Sequence, residues 1–249
     1  MVISDEFTLN GRMGSDENMY LVTFDSEVLI NKGIPFQRDI SSVDGYSQLN
    51  PMFKDEDVPP DDVILNFLYM ENDVPMEWTE DKIIKVKKWI VTDDFIPFIT
   101  QDNPNYKYYL KCKKIQNRMT PSGLGVLECT FVPFSHFVYK SSYSKITITS
   151  QTNILITNPS IYNYNPVIII KNLGDSSTIN KIGEFEITGL DTNETVTIDN
   201  LILSVINSNE INKFSNCNRR WLTLVPGENE LEVSGNCELE ILCEFPIIL

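Results

Sequence analysis

The segment from Trp221 to Phe245 constrains the fold of this chain more than any other part of it. Pro226-Gly227 predicts a type II turn after a strand ending at Leu224 or Val225, since Pro fixes the first central φ and Gly supplies the positive second one. In two further strands, apolar residues alternate with glutamates. The apolar positions are Leu231, Val233, Leu239, Ile241, Cys243 and Phe245, and the glutamates are Glu230, Glu232, Glu238, Glu240 and Glu244. A period of two buries one face, so the sequence predicts a closing, half-buried β-meander.

The rest of the C-terminal part also indicates strands and carries no helical pattern from Ile146 onward. Six short strands are predicted before the meander, at residues 146–149, 154–157, 167–171, 185–188, 195–199 and 203–206. Their close spacing, with Asn- and Gly-rich turns between them, is typical of a β-sandwich. Residues 167–170 are continuously apolar, which predicts a central strand buried on both faces.

The N-terminal part combines strands with one clear helix. Thr79 is the expected N-cap, and Glu80 and Asp81 follow it in the first turn, where the helix dipole favours negative charge. An apolar stripe then faces one side, with lysines mostly on the other, so the helix should lie on a sheet face. The stripe is Ile83, Val86, Trp89 and Ile90, and the lysines are Lys82, Lys85, Lys87 and Lys88. Strands are predicted at residues 63–69, 95–99, 106–112 and 126–132.

Pro133 and the Ser-rich segment of residues 141–144 are expected to end this first block. The predicted fold class is therefore mainly β with one helix, in two domains. The N-terminal domain covers residues 1–143 and the C-terminal domain covers residues 144–249.

Composition excludes several classes of protein. The net charge of -15 opposes binding to nucleic acid or to an anionic membrane by charge neutralisation. It suits either simple solubility or a surface past which DNA slides. The five cysteines include no CxxC pair, and Cys129 and Cys243 lie among apolar residues as small hydrophobes. This predicts folding in a reducing cytosol, with no disulfide framework and no zinc site. No signal peptide or membrane span is expected.

The search for catalytic or metal-binding residues predicts a non-enzyme with no cofactor and no metal. His136 is the only histidine and lies among aromatic residues, which is typical of a structural role. The acidic run of residues 55–57 and 61–62 lacks the spacing of a calcium loop, so a solvated loop is favoured. Any two of the 35 acidic residues might in principle form a glycosidase pair, but no motif favours this. No phosphate-binding or nucleophile-elbow motif is present.

The order of these motifs resembles the distal tail protein (Dit) family of tailed bacteriophages, over nearly the whole chain. In the N-terminal half it rests on eight segments, at residues 7–11, 63–69, 88–90, 95–98, 102–104, 106–112, 125–131 and 133–134. In the C-terminal half it rests on three segments, at residues 165–170, 195–199 and 222–229. Each motif alone is common, and their order and spacing together carry the resemblance.

The resemblance implies an N-terminal β domain that forms a ring, usually hexameric, and a C-terminal galectin-like β-sandwich. Such rings join the tail tube to a tail-associated hub protein, leave a channel for DNA and can contact a receptor-binding protein. The protein is then made in the host bacterial cytoplasm and located in the virion tail. Exposed edge strands would supply ring or tube contacts, with residues 7–24 and 34–40 as the predicted segments.

Two other functions stay open from the sequence. A carbohydrate-binding module would stack sugar rings on exposed aromatics, for which Tyr162, Tyr164 and Trp221 are candidates; burial of these residues is the simpler interpretation. The chain is too short to hold an inserted glycan-binding module. A tail-spike or depolymerase enzyme is the third possibility, distinguished by hydrolysis of host polysaccharide.

Overall fold

A computed structural model describes residues 2–4, 6–23, 38–43, 52–57, 60–101 and 103–248. Contacts between Cα atoms divide the chain into two compact units. The N-terminal unit comprises Met1–Val138 with Ile248–Leu249, and the C-terminal unit comprises Tyr139–Ile247. Over the described residues the fold is mainly β with one α-helix, as predicted.

The N-terminal unit contains eleven described strands, the helix α1 (Glu80–Ile90) and a 3-10 turn (Ser15–Glu17). The strands are β1 (Val2–Ser4), β2 (Phe7–Leu9), β3 (Arg12–Met13), β4 (Met19–Thr23), β5 (Arg38–Val43), β6 (Met52–Asp57), β7 (Val63–Glu71), β8 (Val74–Pro75), β9 (Ile96–Thr100), β10 (Tyr106–Met119) and β11 (Gly125–Pro133). Its main sheet is antiparallel in the order β1-β4-β7-β11-β10, and β9 pairs with both β10 and β2.

Helix α1 lies on this sheet, as its apolar stripe predicts. The Thr79 hydroxyl accepts a hydrogen bond from the Lys82 N–H, which caps the first turn. The four stripe residues are buried in one cluster with residues of β2, β7, β9 and β11. The Trp89 indole N–H donates to the Leu9 carbonyl at 3.0 Å, and its ring stacks on Phe7 with centroids 6.2 Å apart. The helix is therefore fixed both by apolar burial and by a directional bond.

Strand β10 is longer than predicted. The sequence indicates a strand only to Cys112, whereas β10 continues to Met119 and pairs with β11 from Leu110 to Met119. A register shift between Cys112 and Lys114 changes which face the following side chains occupy. This shift interrupts the alternation of apolar and polar residues, and polar residues dominate the second half of β10. A prediction from period-two alternation therefore ends the strand too early.

The C-terminal unit contains nine strands and, within its described residues, a 3-10 turn (Phe214–Asn216) as its only helical element. The strands are β12 (Val138–Ile148), β13 (Thr152–Asn158), β14 (Val167–Asn172), β15 (Asn180–Ile182), β16 (Phe185–Ile187), β17 (Thr195–Asp199), β18 (Ser204–Asn207), β19 (Gly227–Ser234) and β20 (Cys237–Ile247). They form one sheet in the order β12-β20-β14-β17-β18 and a second in the order β13-β19-β15-β16. Both sheets contribute to one buried cluster, as in a β-sandwich.

The predicted closing meander is wrong in its pairing. Alternation along β19 and β20 is as expected, with the apolar residues buried and the glutamates outside the core. However, β19 belongs to the second sheet and β20 to the first, and residues 221–224 form only an isolated bridge from Leu224 to Tyr164. Alternation fixes which face is buried but not which strand is the neighbour, so the sequence alone assigns consecutive strands to one sheet. Gly227 does adopt the predicted positive φ, at 91°.

One further prediction needs correction. Strand β14 is central, between β17 and β20, but within its apolar run Ile168 and Ile170 are buried while Val167 and Ile169 are partly exposed. A continuous apolar run therefore does not mean burial on both faces here. The Ser-rich residues 141–144, where the sequence predicts a domain boundary, lie within the continuous strand β12.

Candidate assembly surfaces

A two-stranded ribbon in the N-terminal unit pairs with no other described strand. Its strands β5 and β6 run antiparallel, from Arg38 opposite Asp57 to Val43 opposite Met52. An isolated two-stranded ribbon is at best marginally stable in water. A third strand from a neighbouring protein would pair with one of its edges. Among the described strands of this unit, the ribbon is therefore the best candidate for contact with another subunit.

The contact segments predicted from the sequence correspond only partly to exposed edges. Strand β2 pairs with β3 and β9, and β4 lies between β1 and β7, so neither is an edge strand. Phe7 and Leu9 are buried, and Arg12 and Met13 are exposed in the short hairpin that follows. Residues 24 and 34–37 lie outside the described residues, whereas residues 38–40 belong to β5. The edge argument thus applies to the ribbon rather than to β2 or β4.

Two lysines of α1, Lys82 and Lys85, contact acidic and aromatic side chains of the same unit. The Lys85 ammonium lies 2.5 Å from a Glu17 carboxylate oxygen. The Lys82 ammonium lies 3.6 Å from the centre of the Tyr69 ring and 3.7 Å from a Glu71 oxygen. Glu17, Tyr69, Lys82 and Lys85 line a cleft. Because carboxylates already neutralise part of its charge, this face favours the predicted helix surface over a phosphate-binding patch.

The candidate catalytic and metal-binding residues are dispersed. His136 is buried between β11 and β12, and the neighbouring Ser135 hydroxyl accepts a hydrogen bond from the Phe137 N–H at 3.2 Å. Asp62 forms an ion pair with Lys113 at 2.7 Å. The side chains of residues 55–57 lie outside the described part of the chain. Within that part, no three His, Cys, Asp or Glu side chains meet as a metal site.

All five cysteines are free thiols, and the most buried ones are held protonated. Burial raises the pKa of Cys237 to about 11 and the pKa of Cys243 to about 12. Burial also raises the pKa of Cys129, with smaller contributions from Cys112 and Glu128. Since the thiolate is the nucleophile and the metal ligand, these groups act as small hydrophobes, as predicted for Cys129 and Cys243.

The three aromatic residues considered for sugar stacking do not share one exposed surface. Tyr164 packs on Phe245 with ring centroids 4.9 Å apart, and its hydroxyl accepts a hydrogen bond from the Glu244 N–H at 2.8 Å. Trp221 contacts the ring of Phe185 at 5.8 Å. Both are partly buried against the core, and Tyr162 is exposed. The structural interpretation therefore holds for Tyr164 and Trp221.

Buried asparagines fix the loops at one end of the C-terminal unit, which we call the loop end (residues 159–166, 200–203 and 221–226). The Asn158 amide donates to the Leu224 carbonyl at 3.1 Å. The Asn200 amide donates to the Pro166 carbonyl at 2.6 Å, and its oxygen accepts from the Leu222 N–H at 2.8 Å. The three loops are thus tied together by side-chain amides that satisfy buried backbone groups.

The loop end presents apolar side chains on this rigid frame. Leu201 is 71% exposed and Ile202 is 69% exposed. The Asp199 carboxylate accepts hydrogen bonds from both of their N–H groups, at 2.9 and 3.1 Å, which fixes the turn. The sequence did not reveal this surface, because asparagine between strands predicts only a turn and gives no sign of burial.

The family of the chain follows from its N-terminal half. The family model described as the phage tail protein N-terminal domain matches residues 2–133, which is more than half of the chain. The chain therefore belongs to this family and is a component of a bacteriophage tail. No curated protein matches it. In the described residues, no helix has the length and apolar character needed to cross a membrane.

Two solved phage structures share the fold of this chain. One is the Dit protein (gp 19.1) of phage SPP1, a paradigm of the hub adsorption apparatus in phages that infect Gram-positive bacteria. Its TM-score is 0.61 at 11% identity, and the match covers 98% of this chain and 100% of that one. A chain of the phage P2 baseplate in its activated, Ca-containing conformation has a TM-score of 0.57 at 9% identity, with both chains covered completely. The distal tail protein resemblance read from the sequence is confirmed at the level of family and fold.

Proposed function

We propose that this chain is the distal tail protein of its phage and closes into a hexameric ring. In this position the ring joins the tail tube to a tail-associated hub protein and leaves a channel for DNA. A receptor-binding protein attached to the same hub would bring the particle to its host. The role is structural, and it requires no catalytic group or cofactor.

The observation that carries this proposal is the extent of the fold similarity. The match to SPP1 Dit includes 98% of this chain and all of the other, so both units are present and in the same order. A shared β-sandwich alone would carry little weight, because such folds serve many functions. A shared combination of a helix-bearing sheet and a sandwich is more specific. Membership in the phage tail family adds independent support.

The ribbon supports the ring. A closed ring requires head-to-tail contacts, in which one surface of each subunit fits a different surface of the next. The β5–β6 ribbon has unpaired strand edges among the described residues and lies in the unit that the family model matches. Pairing of this ribbon with a neighbouring sheet would give one half of such a contact.

The net charge of -15 supports the channel, since an acidic wall repels the phosphates of passing DNA. Replacing Asp or Glu residues that face the channel with Lys is expected to slow DNA ejection. The positions that face the channel would first be identified from a structure of the ring. If the replacements at these positions left the kinetics of DNA ejection unchanged, this part of the proposal would be wrong.

The ring is tested by native mass spectrometry and negative-stain microscopy of the full chain. We expect particles of six times the 28.5 kDa chain mass, with a central hole. Replacing residues 38–57 with a Gly-Ser linker should yield monomers whose hydrogen exchange in β7, β11 and α1 is unchanged. The double variant Leu201→Ser/Ile202→Ser, at the exposed loop end, is the control and should keep the full mass.

A second measurement tests the case in which the ring assembles only when the protein is attached to the tail. Antibodies against the chain should label one end of each phage particle, at the tip of the tail. Monomers in solution together with labelling along the tail tube or on the head would contradict the proposal. Monomers with labelling at the tip would place ring closure on the tail itself.

The carbohydrate-binding alternative depends on Tyr162, the one exposed member of the three candidate aromatics. It predicts that the wild-type protein binds to a sugar array and that the Tyr162→Ala variant does not. Equal signals for the two proteins would dismiss this alternative.

A further inference from the structure

Strand β13 ends the second sheet of the C-terminal unit, and its outer edge is open. The sheet order is β13-β19-β15-β16, and β13 pairs with β19 from Thr152 opposite Val233 to Asn158 opposite Gly227. Among the described strands, β13 has no second neighbour. The N–H and C=O groups that point away from β19 therefore have no backbone partner in the described part of the chain.

Two other end strands of this unit are covered by the chain itself. Beside β18, the Lys213 N–H donates to the Val205 carbonyl at 2.8 Å. Beside β16, the Asn218 N–H donates to the Glu186 carbonyl at 3.0 Å. Returning segments thus occupy both edges, as folded proteins commonly arrange to prevent edge-to-edge pairing. The open edge of β13 is a local exception within the same unit.

The sequence of β13 also lacks the residues that usually protect an edge. Its seven residues, Thr-Asn-Ile-Leu-Ile-Thr-Asn, include no charge and no proline. Leu155, at the centre, is 61% exposed, and Ile154 on the opposite face is only partly buried. A neutral, β-prone strand with an open edge is a template for a further strand.

The outer face next to this edge is acidic. Across the β13–β19 pair, Leu155 lies opposite Glu230 and Thr157 lies opposite Glu228. Glu232 on the same strand forms an ion pair with Lys181 at 2.8 Å. Within the described residues, neither Glu228 nor Glu230 has such a partner; Glu230 accepts a hydrogen bond from the Asn153 amide. Two carboxylates therefore remain without a cation one strand away from the open edge.

We propose that β13 binds an extended segment of another protein, with basic residues alternating with apolar ones. The segment adds a strand to the sheet, and backbone hydrogen bonds supply most of its affinity. Its basic side chains lie on the outer face, where their aliphatic stems cover Leu155 and their charged ends approach Glu228 and Glu230. Its apolar side chains point inward and complete the cover of Ile154.

A second copy of this chain fits the edge less well than a basic partner. Each chain carries a net charge of -15, and β13 contains no cation. Pairing of β13 with its own copy would bring two acidic faces into one sheet, and the added strand would supply no cation for Glu228 or Glu230. Charge complementarity therefore favours a different, basic protein over a second copy.

The proposal is tested with the full-length protein and a synthetic seven-residue peptide of alternating Lys and Val. A peptide of the same length with Glu in place of Lys is the matched control peptide. The Lys peptide should protect the amides of residues 152–158 from hydrogen exchange and leave those of β16 and β18 unchanged. The Leu155→Lys variant should lose at least tenfold in affinity, because its added charge repels the peptide and pairs with Glu230.

The Ile206→Lys variant is the control, since Ile206 is also an exposed aliphatic residue but lies on the covered strand β18. It should bind the Lys peptide like the wild type. Equal protection by the Glu peptide, or no protection of residues 152–158, would overturn the proposal. So would a loss of oligomer mass in Leu155→Lys without any peptide, because a second copy would then occupy the edge. Lost peptide binding at unchanged oligomer mass separates this surface from the proposed ring contacts.

Discussion

Both units have an apolar core, but the side-chain cluster that fixes helix α1 in one unit differs in chemistry from the cluster that fixes loops in the other. In the N-terminal unit, Phe7 lies between Phe67 and Trp89, with ring centroids 5.2 and 6.2 Å away, and this cluster fixes α1 on the sheet. In the C-terminal unit, buried asparagines tie loops to strands. Asn172 is fully buried and accepts a hydrogen bond from Asn180, which is also fully buried.

This difference determines how each unit should respond to substitution. Apolar burial is not directional. The stability lost when a buried apolar side chain is truncated therefore depends mainly on the apolar area removed and on the volume of the cavity left behind. A buried amide is different, because the backbone groups that it bonds are also buried and have no water to replace it as a hydrogen-bond partner. Removing one such side chain leaves several backbone groups without a partner, although little volume is lost. At the aromatic cluster under α1, stability should therefore depend on side-chain size, and at the buried asparagines of the C-terminal unit it should depend on side-chain identity.

The largest expected effect is that of Trp89→Ala. The substitution removes a large buried ring and its bond to the Leu9 carbonyl, and should lower the free energy of unfolding by about 3–5 kcal/mol. Denaturant titration followed by hydrogen exchange would locate the loss in the N-terminal unit. Ile84→Ala, at an exposed position of the same helix, should change stability by less than about 0.5 kcal/mol. Equal losses in the two variants would contradict the role of the aromatic cluster.

Asn172→Ala should have the next largest effect, although it removes only an amide group. The Asn172 Nδ2 donates to the Leu190 carbonyl at 2.9 Å and to the Gly174 carbonyl at 3.2 Å. We expect a loss of about 2–3 kcal/mol, because buried groups lose their partners. Hydrogen exchange should rise in β14 and β15 and stay unchanged in α1.

Asn209→Ala, at an exposed turn of the same unit, is the control for this variant and should change stability by less than about 0.5 kcal/mol. If an apolar replacement of Asn172 with similar volume, such as Leu, restored the stability, then packing rather than amide pairing would hold this unit. The contrast between the two units would then disappear.

The sequence predicted what depends on local periodicity. The helix, its Thr79 cap and the buried face of β20 follow from spacing within one segment, and the structure confirms them. Pairing between distant segments is not accessible in this way, so periodicity alone wrongly places β19 and β20 in one sheet. The open edge of β13 was missed for the same reason. An edge is defined by the absence of a neighbour, which depends on the order of strands and not on the residues of the strand itself.

The smallest expected effect concerns the pH dependence of the C-terminal unit. Glu194 lies beside Lys213 at 2.8 Å and accepts hydrogen bonds from the Asn207 amide and the Asp191 N–H, at 2.7 and 2.9 Å. Burial alone would raise the pKa of Glu194, but Asn207, Lys213 and the Asp191 N–H together lower it below the usual 4.5. The folded state therefore favours the carboxylate, and this contributes stability above the unfolded pKa.

That contribution should be lost as the pH falls below about 4.5 and through the lowered folded pKa of Glu194. In the Glu194→Gln variant it is absent at every pH, so the stability difference from wild type should be constant near neutral pH and shrink in acid. Urea titrations at several pH values, with hydrogen exchange to separate the units, would measure it. If the stability difference between the variant and the wild type stayed constant down to acidic pH, then Glu194→Gln would destabilise the protein through altered packing and not through the lost charge. A change in the exchange of α1 would contradict the confinement of this effect to the C-terminal unit.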